Sequence, residues 1–475
     1  MAETRRSLWR HPDFLKLWTA ETVSQVGTQV TQLALPLVAI VVLVATPFEV
    51  ALLGTLAFLP FILLGLPAGV WVDRLRRRPI LIVGDLGRAI LLASIPVAFV
   101  AGVLTIWQLY LVAFLVGSLT VFFDVAYQSY LPSLVDREDL VDGNAKLEIS
   151  RSAAALVGPS LGGILVEWLT ASVAILVDAV SYLGSALFIF FIRKHEPEPV
   201  HPDVAAGGER PSMRRDIAQG LRYVGGQRQL RLIASSTGIS NFFNQFVYAL
   251  LLVYAVRDLG MSAGVIGIVF AIGNLGWLTA AVTATRIQKR IGLGPAIVLG
   301  GATSSLSVLF VAVATPETAA PLLVASGLVG GFGNVVYNVN QVSFRQAITP
   351  ERMQGRMNAT MRFIVWGTIP IGSIIAGGLG TVIGILPTIW IGVIGGAFAM
   401  IPLLLAPVRG LRELPASPEA WAEAEAARLA GGIGPIVPGA ANVEMEERME
   451  IAERAEEAAA GDRGSATGED GPAGT

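Results

Sequence analysis

Cysteine is absent from all 475 residues, which excludes disulfides, thiolate metal sites and thiol nucleophiles. Histidine is nearly absent: His11, His195 and His201 are the only three, and none lies deep in a long apolar run. A histidine metal centre or a buried histidine proton relay is therefore not expected. Charge is scarce too, at 15% of residues against 53% hydrophobic. A mean hydropathy of +0.63 is far too apolar for a water-soluble chain of this length. The space is filled by apolar runs of roughly 18 to 28 residues, each long enough to cross a hydrocarbon core of about 30 Å as a helix. The alternating segments of about 10 residues that build a membrane β-barrel do not appear. Nor does a nucleotide-binding loop, a nucleophile and base pair, or a cluster of metal ligands, so no enzyme activity, cofactor, metal or nucleic-acid partner is expected. The amino terminus, MAETRRSLWRHPDFLKLW, has no short apolar core with a cleavage site, and the first long helix is expected to act as its own uncleaved insertion signal.

Hydropathy places twelve helices, at 15–44, 50–72, 80–101, 106–127, 151–169, 172–192, 232–256, 262–284, 294–314, 320–342, 360–380 and 384–406. Charge tests that count independently, because short cytoplasmic loops retain Lys and Arg. With the amino terminus inside, the inner loops hold Arg74, Arg76, Arg77 and Arg78; Arg137 and Lys146; Arg286, Lys289 and Arg290; and Arg345, Arg352 and Arg356. The outer loops hold Arg257 alone. A missed or invented span would invert this pattern for everything after it. The fold expected is thus an all-α integral membrane protein with both ends cytoplasmic, in a cell inner (plasma) membrane.

The polar, Pro-, Gly- and Arg-rich stretch 193–231 divides the chain. A bundle of six helices, 1–192, precedes this cytoplasmic linker, and a second, 232–406, follows. The remainder, 407–475, reads as an acidic, disordered cytoplasmic tail with short helices around Trp421 and Met449. Through Arg412 there are 30 basic and 22 acidic residues, and after it 4 and 14, so the net charge of −2 conceals two oppositely charged parts. The halves also repeat. Aligning Asn144-Ala145 after the fourth helix with Asn358-Ala359 after the tenth brings Gly158 onto Gly372 and Gly163 onto Gly377, the mark of a duplicated six-helix unit.

Between the second and third helices runs Gly69-Val-Trp-Val-Asp73-Arg74-Leu-Arg76-Arg77-Arg78-Pro79. Its arginines fit a positive-inside cluster. Asp73 gains nothing from that rule but can pair with Arg77 or with a neighbouring helix. This hairpin, in this place, resembles the signature loop of the major facilitator superfamily, and the resemblance covers roughly residues 10 to 406. It implies a two-bundle transporter in which Asp73, Arg77 and Asp124 form a conformational charge relay. The usual Gly before the basic pair is Arg76 here. In the fifth helix, Gly158, Pro159, Gly162 and Gly163 are the residues least suited to a helix interior. Small residues allow close packing in lipid, and a proline bends the helix. The same stretch also resembles the motif of the superfamily's antiporters, with Ala154 at its first position. Val121–Gln128 and Asp178–Tyr182 look most like the branch containing macrolide and enterobactin exporters.

In that fold the first, fourth, seventh and tenth helices surround the transport path. The first carries Glu21, Gln25, Gln29 and Gln32; the seventh Asn241, Asn244, Gln245 and Tyr248; the tenth Asn334, Tyr337, Asn338 and Gln341, each set on one helical face. Any one stripe reads equally as glue between helices; three together favour a wet cavity. The fourth helix adds aromatics, Phe114 among them. Amides with aromatics suit a bulky amphipathic small molecule. Two membrane-embedded carboxylates are candidates for carrying a proton, since an isolated one is costly when ionised: Glu21, about 10 Å into the first helix, and Asp178 in the sixth, for which a structural bond to a neighbouring helix is the competing reading. The expected function is a monomeric, proton-coupled exporter of amphipathic small molecules. A nutrient symporter of the same fold, or a non-transporting receptor using the acidic tail as its binding module, are the alternatives.

Overall fold

The computed structural model describes residues 8–136, 139–194, 196, 213–405, 411–413, 415, 417, 418 and 421. Among them are twelve helices long and apolar enough to span a membrane. They are α1 (Pro12–Val42), α2 (Pro47–Arg74), α3 (Arg77–Val100), α4 (Ile106–Leu134), α5 (Leu140–Leu169), α6 (Ala171–Phe190), α7 (Arg228–Arg257), α8 (Ala263–Ile291), α9 (Leu293–Ala312), α10 (Ala319–Ala347), α11 (Glu351–Val382) and α12 (Ile385–Leu405). Local chemistry sets several starts. Thr46 accepts from Glu49 N at 3.3 Å while the Glu49 carboxylate accepts from Thr46 N at 2.6 Å, a reciprocal cap on α2. The Thr105 and Ser262 hydroxyls cap α4 and α8 one way, accepting from Gln108 N and Val265 N.

The structure carries the duplication into three dimensions. Gly158 of α5 lies against Gln29 of α1, and its counterpart Gly372 of α11 lies against Gln245 of α7. Gly163 faces Ala263 and Gly267 of α8, while its counterpart Gly377 faces Phe48 and Ala51 of α2. The alignment extends to Thr170 and Gly384, which link α5 to α6 and α11 to α12 and share φ = 94°. For glycine that backbone is free; for threonine it is strained. In each bundle, then, the fifth helix bears on the first helix of its own bundle and on the second helix of the other.

The halves meet along two seams, α5 with α8 and α2 with α11. The described polar contacts across them cluster toward one end of the molecule. Glu167 accepts from Gly264 N at 2.7 Å and from Ser262 Oγ at 3.0 Å, and Phe48 N donates to Thr381 Oγ1 at 3.1 Å. Arg257 Nη2 donates to Ala45 O at 2.7 Å and Ile40 O at 3.3 Å, so the one basic residue of the expected outer loops is engaged as a cross-bundle donor. Furthest toward the other end are Asn274 Nδ2 to Ala155 O at 2.7 Å and an edge contact between Phe58 and Trp366, ring centroids 6.0 Å apart. Beyond that depth lies the end bearing Arg77, Arg151 and Arg286, where Asn144, Leu147, Glu148 and Arg151 line a cavity. That end is called the basic face below.

Two expectations change. The stretch 193–231 contains a helix, Met213–Gly226. Its Gly220 lies on Thr360 and Arg356 of α11, its Tyr223 and Val224 are buried, and α7 begins at Arg228. Polarity had hidden an amphipathic helix whose apolar side seats on the second bundle. The first part of the tail is also packed rather than free. Leu293 N and Gly294 N donate to Arg412 O at 3.1 Å and Leu411 O at 2.8 Å, and Trp421, 5% exposed, meets Phe344 edge to face at 5.2 Å. The expected helix around Met449 lies outside the described residues.

Candidate functional site

On the first-bundle side, α1, α3, α4, α5 and α6 wall a cavity of about 510 Å³ that opens toward the basic face. The α1 stripe lines it as expected, with Glu21, Gln25, Gln29 and Gln32 joined by Ser24 and Thr28. Helix periodicity places these on one face, and α1 packs on α5 and α6 with the others. Glu21 is only 7% exposed. Its Oε1 accepts from Gln25 Nε2 at 2.6 Å, and its Oε2 is buried with no hydrogen-bond partner. Asp124 and Tyr127 of α4 share the wall, with Phe61 of α2 and with Glu148 and Arg151 of α5.

The feature sequence reasoning missed is Arg88. Its guanidinium is 4% exposed, donates from Nη2 to Asp85 at 2.6 Å, and lies between the rings of Phe123 and Tyr182, each centroid 4.2 Å away. Desolvated cation–π contacts are worth about 2 kcal/mol or more, and they help hold a charge that lipid would otherwise reject. Tyr182 is fixed in turn by its hydroxyl, 2.8 Å from Thr28 Oγ1. Arg88 interacts electrostatically with Asp85, Asp124 and Glu21, so one buried cation serves several carboxylates. Asp85-x-x-Arg88 inside an apolar run was the available signal, an i,i+3 ion pair placed where isolated charge is rare.

Asp178 takes a different position. It is 1% exposed, bonded to Ser181 Oγ at 3.0 Å, and packed against Gly27 of α1. That places it in the seam between α1 and α6, behind the cavity wall rather than on it. Of the charge relay, Arg77 pairs with Glu196 at 3.4 Å while Asp124 faces the cavity, so the two are not in contact in this state. The side chain of Asp73 lies outside the described residues.

The second bundle contributes a smaller pocket lined by Asn241, Asn334, Tyr337 and Asn338 with Ser236, Thr237, Ser240, Ser304 and Trp366, and no charged side chain lines it. Tyr337 and Thr237 hydroxyls lie 2.6 Å apart, Asn338 donates to Asn334 at 3.1 Å, Gln341 to Asn338 at 3.2 Å, and Asn241 to Val365 O at 3.1 Å. These amides therefore serve partly as glue and partly as wall. Asn244 bonds Ser240 at 3.2 Å. Phe114, Gln245 and Tyr248 line neither cavity. The glycine motif divides its work: Gly158 and Gly162 admit α1, and Pro159 and Gly163 form the α8 seam, where Gly267 Cα stands 3.1 Å from where a Cβ on Gly163 would lie.

Two six-helix halves around a polar cavity closed at one end are the architecture of a membrane carrier, and the sequence comparison agrees over nearly the whole length. The family model described as transmembrane secretion effector matches residues 6–459. The chain belongs to this family of the major facilitator superfamily. It is similar to the multidrug efflux pump Tap of Mycolicibacterium fortuitum, 27% identical over 349 residues that cover 71% of this chain and 81% of Tap. The uncharacterized MFS-type transporter YfiS of Bacillus subtilis (strain 168) is 27% identical over 178 residues, 38% of this chain and 42% of YfiS. Among solved structures, a bacterial homologue of the iron transporter ferroportin in an inward-facing state superposes with a TM-score of 0.65 at 17% identity, covering 84% of this chain and 99% of that one; this shows the shared fold. As a member of the secretion effector family, the protein is a secondary transporter of small molecules and not an enzyme.

Proposed function

We propose that the protein is a proton-driven antiporter that exports amphipathic small molecules by alternating access, and that the state described here is open to the cytoplasm. The observation that carries this reading is the unpartnered Oε2 of Glu21, buried in the cavity wall beside the Gln25 and Gln29 amides that cargo would touch. A carboxylate so placed binds a proton or yields to cargo, and the two compete at one position. Charge is confined to the first-bundle wall while the second-bundle pocket is neutral, which divides proton handling from recognition of neutral polar groups. The cavity opens at the basic face, which the charge rule assigns to the cytoplasm along with both termini and the 193–231 linker. Similarity to multidrug efflux pumps favours export, and the antiporter-like α5 motif favours exchange. The likeness of Val121–Gln128 and Asp178–Tyr182 to macrolide and enterobactin exporters favours a drug, macrolide or siderophore-like cargo, moved by a monomer whose bundles are 1–192 and 232–406, with 407–475 as the cytoplasmic tail.

The test is export of a fluorescent amphipathic dye from inverted vesicles or cells. Uphill export should collapse when the proton gradient is dissipated. Glu21→Gln should abolish uphill export yet spare downhill exchange, because an amide preserves the Gln25 contact without carrying a proton. Full uphill export by Glu21→Gln removes it as the carrier and moves attention to Asp124. Export indifferent to the gradient sinks the antiport mechanism.

A further inference from the structure

We propose that Glu196 is a positioning residue of the transport cycle: it holds Arg77 of the charged hairpin while the cavity is open at the basic face, and releases it as that face closes. The proposal rests on the alternating-access reading above.

In both bundles the chain that leaves the last helix returns to the start of the third. After α12, the main-chain carbonyls of Leu411 and Arg412 accept from Gly294 N at 2.8 Å and Leu293 N at 3.1 Å at the start of α9. After α6, the Glu196 carboxylate accepts from Arg77 N at 2.8 Å and Arg78 N at 3.1 Å at the start of α3. Both returns satisfy helix-terminal donors that would otherwise be orphaned. The second bundle does this with neutral carbonyls, so capping alone requires no charge. The first bundle commits a carboxylate that is 7% exposed, and its additional contact is the guanidinium of Arg77, Nη1 to Oε1 at 3.4 Å.

That contact is incomplete. A guanidinium presents five donors in a planar fork suited to two short parallel bonds, whereas this pair is long and Arg77 Nε is buried with no hydrogen-bond partner. A buried donor left unpaired is unfavourable, so Arg77 is held at a position it does not fully satisfy, as a group that leaves in another state would be. The anchor side of the clamp is firm. Arg78 Nε donates to Ile189 O at 3.3 Å, its Nη2 donates to Phe190 O, and Lys194 Nζ donates to Leu134 O at 3.0 Å, tying the segment to α6 and α4. Only Leu75 and Arg76, both extended, separate the clamp from α2. Helix α2 bears on α11 through Ser373 Oγ to Ala51 O at 3.1 Å, so the clamp sets the angle at which one of the two seam helices leaves its bundle.

The substitution that separates capping from latching is Glu196→Gln. It keeps a neutral acceptor for α3, as the other bundle has, and removes the charge. Arg77→Gln is its complement, leaving the main-chain cap untouched. Spin labels at Ala145→Cys and Thr285→Cys, near the basic-face ends of α5 and α8 in a chain with no cysteine of its own, report the width of the opening in lipid nanodiscs without cargo or gradient. Each of Glu196→Gln and Arg77→Gln should lower the ratio of open to closed populations by about three- to fivefold, the upper end of the scale for an ion pair with one part-exposed partner. The double variant should shift no further than either alone. A ratio within twofold of the parent in both single variants, or shifts that add in the double, would overturn the latch. Should Glu196→Gln fail to fold, Arg77→Gln decides alone. Because the readout needs no transport, the latch stands or falls independently of cargo, direction and coupling ion. A single distance that nothing moves would overturn the alternating-access reading, and the latch with it.

Discussion

Gly163 gives the sharpest test of how the seams govern the cycle. A Cβ added there would lie 3.1 Å from Gly267 Cα and 3.2 Å from the carbonyl carbon of Ala263, where carbon atoms prefer about 3.5 to 4.0 Å. The obstructing atoms are main chain, so no rotamer change relieves them and the two helices must part. Overpacking of this kind costs about 1 to 3 kcal/mol. The clash exists only while α5 and α8 are in contact at the closed end, so the cost falls on this state and not on one in which that end has opened. At about 1.4 kcal/mol per tenfold, Gly163→Ala should shift the population toward the alternative state by roughly 5- to 150-fold. The Ala145 and Thr285 label pair reads this as a shorter distance at the basic face. Gly377→Ala, which meets Phe48 Cα at 3.0 Å, should act in the same direction at the other seam. Gly158→Ala is the control: it meets the Gln29 side chain within one bundle, in every state, and should lower stability without moving the distance. Equal distance shifts from Gly158→Ala and Gly163→Ala, or none from Gly163→Ala and Gly377→Ala, would refute the argument that these seams select the state.

Arg88→Gln leaves Asp85 buried without its cation and should cost about 3 to 5 kcal/mol, seen as a lower melting temperature in detergent; adding Asp85→Asn should recover part of it. Trp421→Ala should lower stability by about 3 kcal/mol, the scale of emptying an aromatic site, whereas truncation after Trp421 should leave melting and export unchanged. A truncation after Arg412 that melts like the full chain would show that the Trp421 contact contributes nothing. For topology, Ala319→Cys should react with an impermeant thiol reagent on intact cells and Gly207→Cys should not; the reverse pattern would invert the orientation.

The twelve spans and the duplication were legible in the chain itself. Span length follows from bilayer thickness, and equal spacing of Gly158 and Gly163 with Gly372 and Gly377 is a property of the chain. The α1 stripe was legible too, since one helical face is fixed by 3.6-residue periodicity, and Glu21 falls on it. Which carboxylate faces the cavity was legible in part: a face shared with Gln25 and Gln29 singled out Glu21, while a structural bond was the competing reading for Asp178. The docking of α1 on α6 decided it, turning Glu21 toward the cavity and seating Asp178 beside Gly27. The partner of Arg77 depended on where the chain after α6 returns, over a hundred residues from the hairpin, and that of Trp421 on a similar return to the second bundle. The Arg88 site required α3, α4 and α6 together, because Phe123 and Tyr182 enclose one guanidinium only once three helices converge. Hydropathy and periodicity act within one helix and can be read along the chain, but pairing of charges in lipid is decided between helices, where a few ångströms and the choice of neighbour determine whether a buried charge is held.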